Sequence, residues 1–389
     1  MSDTIEKKTN VIIKKNNEST NLFDTRKISE PISKKKNVTS LETFSAPSVK
    51  SLSISTPTSI FTKEEQREKK KIENKAYKAL LKDKNNQHFP DAHSHTSNAI
   101  ELKNFSIIFD KGKPYEFKLL HNINHVFEKN KIHFIAGNSG SGKTVLISYF
   151  NGLNKTKDGM VCIFDKPILI KHKKVVNVKG IRRNIGMVFQ FAEYQLFKST
   201  IEKDIVFGPL NFKVKKNEAK KRAKKYIKDV GLDESFLPRN PFGLSGGQKR
   251  RVAIAGILAI EPQILVFDEP TAGLDPDGEK ELIHIFSELK KVGKTVIIVT
   301  HCMNQAIEIG DTVTVIGDGK ILKTGDTYEI FNDKSVVKKA ALSVPLIYKT
   351  IEALSEKNPK YKELFMMKPR TIEELVKDIN ILNGGGQKC

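Results

Sequence analysis

The pentapeptide Leu244-Ser245-Gly246-Gly247-Gln248 constrains this chain more than any other stretch. It lies between a glycine-rich loop, Gly137-Asn138-Ser139-Gly140-Ser141-Gly142-Lys143-Thr144, and an apolar run ending in two acids, Ile264-Leu265-Val266-Phe267-Asp268-Glu269. The loop alone says only that a nucleotide binds. The pentapeptide offers a second glycine-rich helix N-terminus, and so a second candidate phosphate-binding surface separate from the loop.

The loop matches G-x-x-x-x-G-K-[ST] without deviation. Glycines let the backbone N–H groups wrap the β- and γ-phosphates, and the helix that follows turns its positive end to the anion. Lys143 is expected to reach the β/γ-phosphates of ATP, and the Thr144 hydroxyl to take Mg²⁺. Asp268, at a strand end, would hold Mg²⁺ directly or through water. Glu269 would orient and polarise the attacking water as a general base. The bland alternative is an acid pair that merely caps the strand.

Gln190 follows the apolar residues Ile185 to Phe189, where a side-chain amide can reach Mg²⁺ or the water. His301 follows the apolar stretch from Thr295, where an imidazole could hydrogen-bond the γ-phosphate and hold Glu269; a capping histidine is the alternative. Phe109 could stack on adenine, or be a core residue. His121, His125 and His172 have no motif around them and receive no role.

The 389 residues carry a net charge of +22. That balance favours anionic partners, but Lys and Asn enrichment throughout also fits coding bias. Cys162, Cys302 and Cys389 form no CxxC pair, so neither a disulfide framework nor a zinc site is indicated and a reducing cytosol fits. No apolar run is long enough to span a membrane, and the N-terminus lacks a signal-peptide core. Any membrane role is expected to be peripheral, on the cytoplasmic side. Residues 1–97 read as a disordered Lys/Ser/Thr-rich tail, with an exposed Glu/Lys helix between Thr62 and Lys84. Residues 98–330 read as the folded α/β domain and 331–389 as a helical extension.

With these residues in place, the chain resembles ATP-binding-cassette ATPases from about Ile100 to Gly325. The resemblance implies a P-loop NTPase fold: a RecA-like core, an antiparallel β subdomain, and an inserted helical subdomain at about 195–250. It makes Leu244–Gln248 the signature that acts on the partner's ATP, and places Ala272-Gly273-Leu274-Asp275 on the dimer face. A closer likeness is to the second ATPase of energy-coupling-factor transporters. It rests on Phe189-Gln190-Phe191-Ala192-Glu193-Tyr194-Gln195-Leu196-Phe197, Asp204-Ile205-Val206-Phe207-Gly208-Pro209, the stretch from Leu244 to Gly256, Val344-Pro345 and Thr371-Ile372-Glu373-Glu374-Leu375. That family couples ATP to uptake of vitamins or metal ions. Its members pair a related, distinct ATPase with a transmembrane coupling protein and substrate-binding membrane proteins; a homodimer is the alternative.

Four departures stand out. Ala192 replaces a common Pro, Phe109 a common Tyr, and Cys302 an acid, and the N-terminal tail is longer than the family needs. Other importers, for nickel, cobalt or amino acids, would use the same sites. A soluble cassette acting on ribosomes or DNA is disfavoured, because one cassette is present and no long coiled-coil insertion separates Gln190 from Leu244. No nucleic-acid partner is expected.

Overall fold

Long runs that mix apolar and polar residues open the folded chain. Asn98–Phe109 (β1) and Phe117–Glu128 (β2) pair antiparallel, with interrupted register and one face buried. The computed structural model describes residues 71, 75, 77–82 and 96–384, all within one unit spanning 63–389. Most of the expected tail therefore lies outside the described residues. Within the expected Glu/Lys helix, residues 77–82 are helical.

Ile132–Ala136 (β3) is buried along its whole length and leads through the glycine loop into Lys143–Phe150 (α1). That helix stops at Asn151, and Gly152 then takes φ 69°. Met160–Ile163 (β4) returns to β1, and Lys166–Pro167 (β5) extends this sheet to the order β2-β1-β4-β5. Ile170–Lys171 (β6) and Lys174–Val175 (β7) form a separate hairpin. Val178–Asn184 (α2) then leads to Ile185–Val188 (β8).

Three helices follow: Ile201–Asn211 (α3), Lys216–Asp229 (α4) and Gly246–Leu258 (α5). α4 buries the stripe Ala219, Ala223, Tyr226 and Ile227, as its apolar spacing requires. α5 begins six residues before the apolar run at Val252 that marks it in the sequence, right after Ser245. The Ser245 side chain accepts from the Gln248 amide and the Gln248 side chain accepts from the Ser245 amide, a reciprocal cap that starts a helix despite two glycines.

Ile264–Asp268 (β9), Pro276–Lys291 (α6), Thr295–Val299 (β10), Met303–Ile309 (α7), Thr312–Gly317 (β11) and Lys320–Gly325 (β12) complete the core. β9 and β10 are buried at every residue, as strands covered by helices on both faces must be. The central sheet runs β12-β11-β3-β10-β9-β8, and only β11–β12 is antiparallel. One apolar cluster, with Phe105, Phe127, Phe150 and Ile297, joins the antiparallel sheet to one face of the central sheet. A second, with Phe134, Phe267, Phe286 and Ile254, fills the other face and continues into the helices beyond β12. Among those, Leu346–Lys357 (α8) and Ile372–Leu382 (α9) are the longest. Among the described residues, no helix is long and apolar enough to cross a membrane.

Candidate functional site

The central sheet delivers its parallel strands to one edge, where the sequence motifs sit. β3 is followed by Gly137, whose φ is 148° and where an added Cβ would lie 2.1 Å from the Ile316 carbonyl oxygen. Only glycine fits there. Gly142 caps α1 in the left-handed region at φ 94°. Asn138, Ser139 and Gly140 are exposed, while Gly142 and Lys143 are buried.

The Lys143 ammonium folds into the loop and donates to the carbonyls of Gly137 at 2.7 Å and Asn138 at 2.8 Å. Burial pushes its pKa down, and Glu269 and Asp268 partly oppose that shift. Ser141 Oγ is buried with no hydrogen-bond partner among the described residues. An orphaned hydroxyl beside a buried ammonium and a row of loop amides is chemistry that a phosphate group satisfies.

Thr144 Oγ1 donates to Asp268 Oδ1 at 3.1 Å, so α1 and β9 present a hydroxyl and a carboxylate together. Burial pushes the Asp268 carboxyl up, with Glu269 adding to this while the Thr144 hydrogen bond and Lys143 oppose it. A buried carboxylate of that kind is short of positive charge. Among the described residues no group of three or more His, Cys, Asp or Glu could cage a metal. The pair therefore fits a Mg²⁺ ion that takes its other ligands from phosphate and water, as that ion commonly does.

Glu269 sits at φ 46°, outside the strand, with its amide donating to Val299 at 2.8 Å. That kink turns the side chain away from β9, and Oε2 lies 3.0 Å from His301 Nδ1. Glu269 is largely covered, whereas the imidazole is 78% exposed. Parallel pairing of Val188 with Phe267 carries Gln190 to the level of Glu269 at the same edge, where it is exposed. Phe109 is 44% exposed at the end of β1, with Phe117 opposite it, so it is a surface aromatic and not a core one.

The signature occupies a different place. Ser245 and Gly246 are exposed at the start of α5. An added Cβ at Gly246 would meet nothing within 4 Å, and one at Gly247 only Leu274 Cδ2 at 3.8 Å. The Ser245 and Gln248 side chains each accept from the other residue's backbone amide.

Several residues at the site carry no motif signal. Arg250, on the second turn of α5, is buried and ties Glu193 to the loop after Glu269. Asn138 Nδ2 donates to the Lys339 carbonyl at 3.4 Å and Ser343 Oγ to the His301 carbonyl at 3.1 Å, so the C-terminal helices touch both loops. Cys302 starts α7 without a side-chain cap, and burial pushes its thiol up. Its Sγ faces Glu279 at 3.9 Å, and Gln305 Nε2 donates to the same carboxylate at 2.7 Å.

Residues 120–272 match the ABC transporter family. The chain is 49% identical over 287 residues to the energy-coupling factor transporter ATP-binding protein EcfA2 of Mycoplasmoides gallisepticum, covering 72% of this chain and 90% of that protein. It is 46% identical over 281 residues to EcfA2 of Mycoplasma pneumoniae, covering 72% and 93%. Among solved structures, it is similar to cbiO1 from Clostridium perfringens, part of the ABC transporter complex cbiONQ, with TM-score 0.56, 34% identity, and coverage of 66% of this chain and 100% of that one. It is also similar to the dimeric bacterial ABC transporter cassette MJ0796, with TM-score 0.52, 32% identity, and coverage of 58% and 98%. The fold and the motifs agree with these comparisons: the chain belongs to the ABC ATPases, in the family of energy-coupling factor transporter ATP-binding proteins.

Proposed function

We propose that this chain is the ATP-hydrolysing subunit of an energy-coupling-factor transporter, a peripheral protein on the cytoplasmic side of the cell membrane that powers uptake of vitamins or metal ions. One observation carries the reading. The Thr144–Asp268 and Glu269–His301 contacts lie at one sheet edge, and the exposed helix start at Ser245–Gly246 lies at a separate place in the same chain.

ATP binds with its phosphates in the loop Gly137–Thr144 and its adenine against Phe109. Lys143 exchanges its two carbonyl partners for phosphate oxygens, which compensate its buried charge. Thr144 and Asp268 would hold Mg²⁺, which would neutralise phosphate charge. Glu269 accepts a proton from the attacking water, and His301 holds the Glu269 carboxylate through Nδ1. Gln190 contacts the same region and links it to the segment that follows. Ser245, Gly246 and Gly247 reach the phosphate of ATP bound to a partner ATPase, so ATP favours the closed pair and hydrolysis releases it. The related, distinct subunit of the family is the partner this implies.

An apolar groove between β8 and the helices α3 and α5 supports the membrane part of the reading. It is lined by Met187, Phe189, Phe197, Phe207, Phe212 and Ile257. Phe189, Phe197 and Phe207 are exposed there. A transmembrane coupling protein would dock in it, since closure of the ATPases moves this groove. Affinity purification from detergent-solubilised membranes tests the proposal. A second ATPase and an integral membrane protein should co-purify and hydrolyse ATP together; recovery with ribosomes or DNA instead would refute it.

A further inference from the structure

From Lys166 to Ala192 the chain has no Asp or Glu, and seven Lys or Arg residues fall between Lys166 and Arg183. Within this stretch the β6–β7 hairpin is built against its own local physics. Its cross-strand pair is Lys171 with Lys174, two like charges face to face. Its turn residues are His172 at φ 49° and Lys173 at φ 59°. Both are in the left-handed region, where two-residue hairpins usually place Asn-Gly. All four side chains of this tip are exposed. Lys155 Nζ donates to the carbonyl of Lys173 and adds a further cation. Four consecutive basic or imidazole residues in a costly turn are an observed outlier that folding alone does not explain.

The segment before β1 enlarges this surface. Tyr77 Oη accepts from the Ile170 amide at 2.7 Å and donates to the Ile170 carbonyl at 3.4 Å, so the helical residues 77–82 are fastened to the hairpin. Lys71, Lys75, Lys78 and Lys82 are all helical and exposed. Spacings of four, three and four put them on one helix face. Among the described residues, none of these four lysines, nor Lys171, Lys173, Lys174 or Arg183, forms an ion pair.

The cations also run to the rim of the apolar groove. Arg182 lines it, Lys179 lies over the Phe212 ring at 5.9 Å, and Lys198 lies over Phe207 at 4.8 Å. If the groove receives a transmembrane protein, the surface around its mouth faces the bilayer. Here the inference rests on the proposed function. We infer that the lysine stripe and the Lys171–Lys174 tip form a docking surface for anionic lipid headgroups, holding the ATPase against the membrane beside its protein partner. Polybasic surfaces of this kind bind such lipids electrostatically, without insertion.

The test uses the full-length chain without its partners, in flotation with phosphatidylcholine vesicles with or without phosphatidylglycerol. Binding should require phosphatidylglycerol and weaken with added salt. The variant Lys171→Glu/Lys173→Glu/Lys174→Glu should lower vesicle partitioning on the order of 100-fold while nucleotide affinity stays unchanged. Tyr77→Phe, which keeps the helix and loses its bridge, should lower it less. If the triple variant does not fold, Lys173→Gln and Tyr77→Phe carry the test.

Equal binding to neutral vesicles, or full binding by these variants, overturns the inference. So does release by inorganic phosphate beyond that by chloride at matched ionic strength, which would assign a free-phosphate site. Tighter, lysine-dependent binding to a single-stranded oligonucleotide would reassign the surface to nucleic acid. Flotation reads the basic surface and detergent co-purification reads the groove, so either reading can fail alone.

Discussion

Arg250 and Glu193 meet through two parallel hydrogen bonds, Nε to Oε2 and Nη2 to Oε1, each 3.2 Å long. The remaining guanidinium nitrogen donates to the carbonyls of Pro270 at 3.0 Å and Ala272 at 2.8 Å. One buried side chain thus joins the signature helix to the segment after Gln190 and to the turn after Glu269. Burial pushes Glu193 up, but the hydrogen bonds and charge of Arg250 outweigh it and hold the carboxyl below its ordinary value. Arg250→Ala would leave Glu193 and two carbonyls without their donor, and should cost about 3 kcal/mol of stability. Arg250→Lys cannot form the planar fork and should recover only part of it. Denaturant midpoints of the three proteins check this; a loss within error of zero in Arg250→Ala would show the junction to be ornamental.

The Glu269–His301 contact leads to the second expectation. Glu269→Gln keeps the shape and the kinked backbone but loses the base. Turnover should fall by roughly 100-fold or more while ATP binding remains. Lys143→Ala should weaken ATP binding itself, since it removes the buried ammonium from the loop. Single-turnover hydrolysis and nucleotide titration of the purified complex separate the two. Near-normal hydrolysis in Glu269→Gln would remove Glu269 from the chemistry.

Asp268 is poised for function at the expense of the nucleotide-free fold. Burial raises its pKa, so the ionised form is disfavoured in the folded chain. The associated stability is present below the unfolded carboxyl range and lost as pH rises through the raised folded value. Above that value the free protein bears the cost of an ionised, buried carboxyl. Asp268→Asn can still accept from Thr144, so it should raise the nucleotide-free Tm by roughly 1–3 °C and abolish Mg²⁺-dependent hydrolysis. A lowered Tm would contradict the electrostatic argument.

His125 supplies a pH dependence of opposite sense. Its ring accepts or donates with Thr314 Oγ1 at 3.0 Å, near His133, and burial together with His133 pushes its pKa down to about 4. A depressed histidine contributes stability above its unfolded pKa and loses it as pH falls towards the folded value. Between pH 6.5 and 5 this site should cost about 1.5 kcal/mol. His125→Gln should flatten that part of a Tm-against-pH curve. His133, which is also lowered by burial, will retain some slope.

The loop, the acid pair and the signature are legible as short runs of special residues, and Gln190 and His301 as single polar residues after apolar runs. The start of α5 was not, since Gly246 and Gly247 read as a break; the Ser245–Gln248 capping box was the available signal. Arg250, Ser343 and Tyr77 were invisible for a different reason. Each acts on backbone carbonyls or amides far away in sequence, and backbone groups carry no residue identity to search for. The lysines around Lys171 do not stand out from the Lys-rich chain in sequence; the turn geometry and the pairing of Lys171 with Lys174 set them apart.

The exposed N-terminus of α5 leads to the last expectation. Ser245 and Gly246 stand open, and Ser245 and Gln248 satisfy one another rather than the phosphate loop of their own chain. The remaining amides of that helix start are donors without an anion, with the positive end of the helix behind them. Such donors suit a phosphate, and the proposed pairing would bring one from another subunit. Ser245→Arg would break the cap and fill the space above Gly246, so it should damage the site whose phosphate loop belongs to the partner. The site on Lys143 should still bind ATP. A photoreactive ATP analogue applied to the mutant complex, with turnover blocked, reads each subunit separately. Labelling should persist on this chain and fall on its partner; loss from this chain alone would mean that the signature acts on its own nucleotide, and the face-to-face arrangement would have to be abandoned.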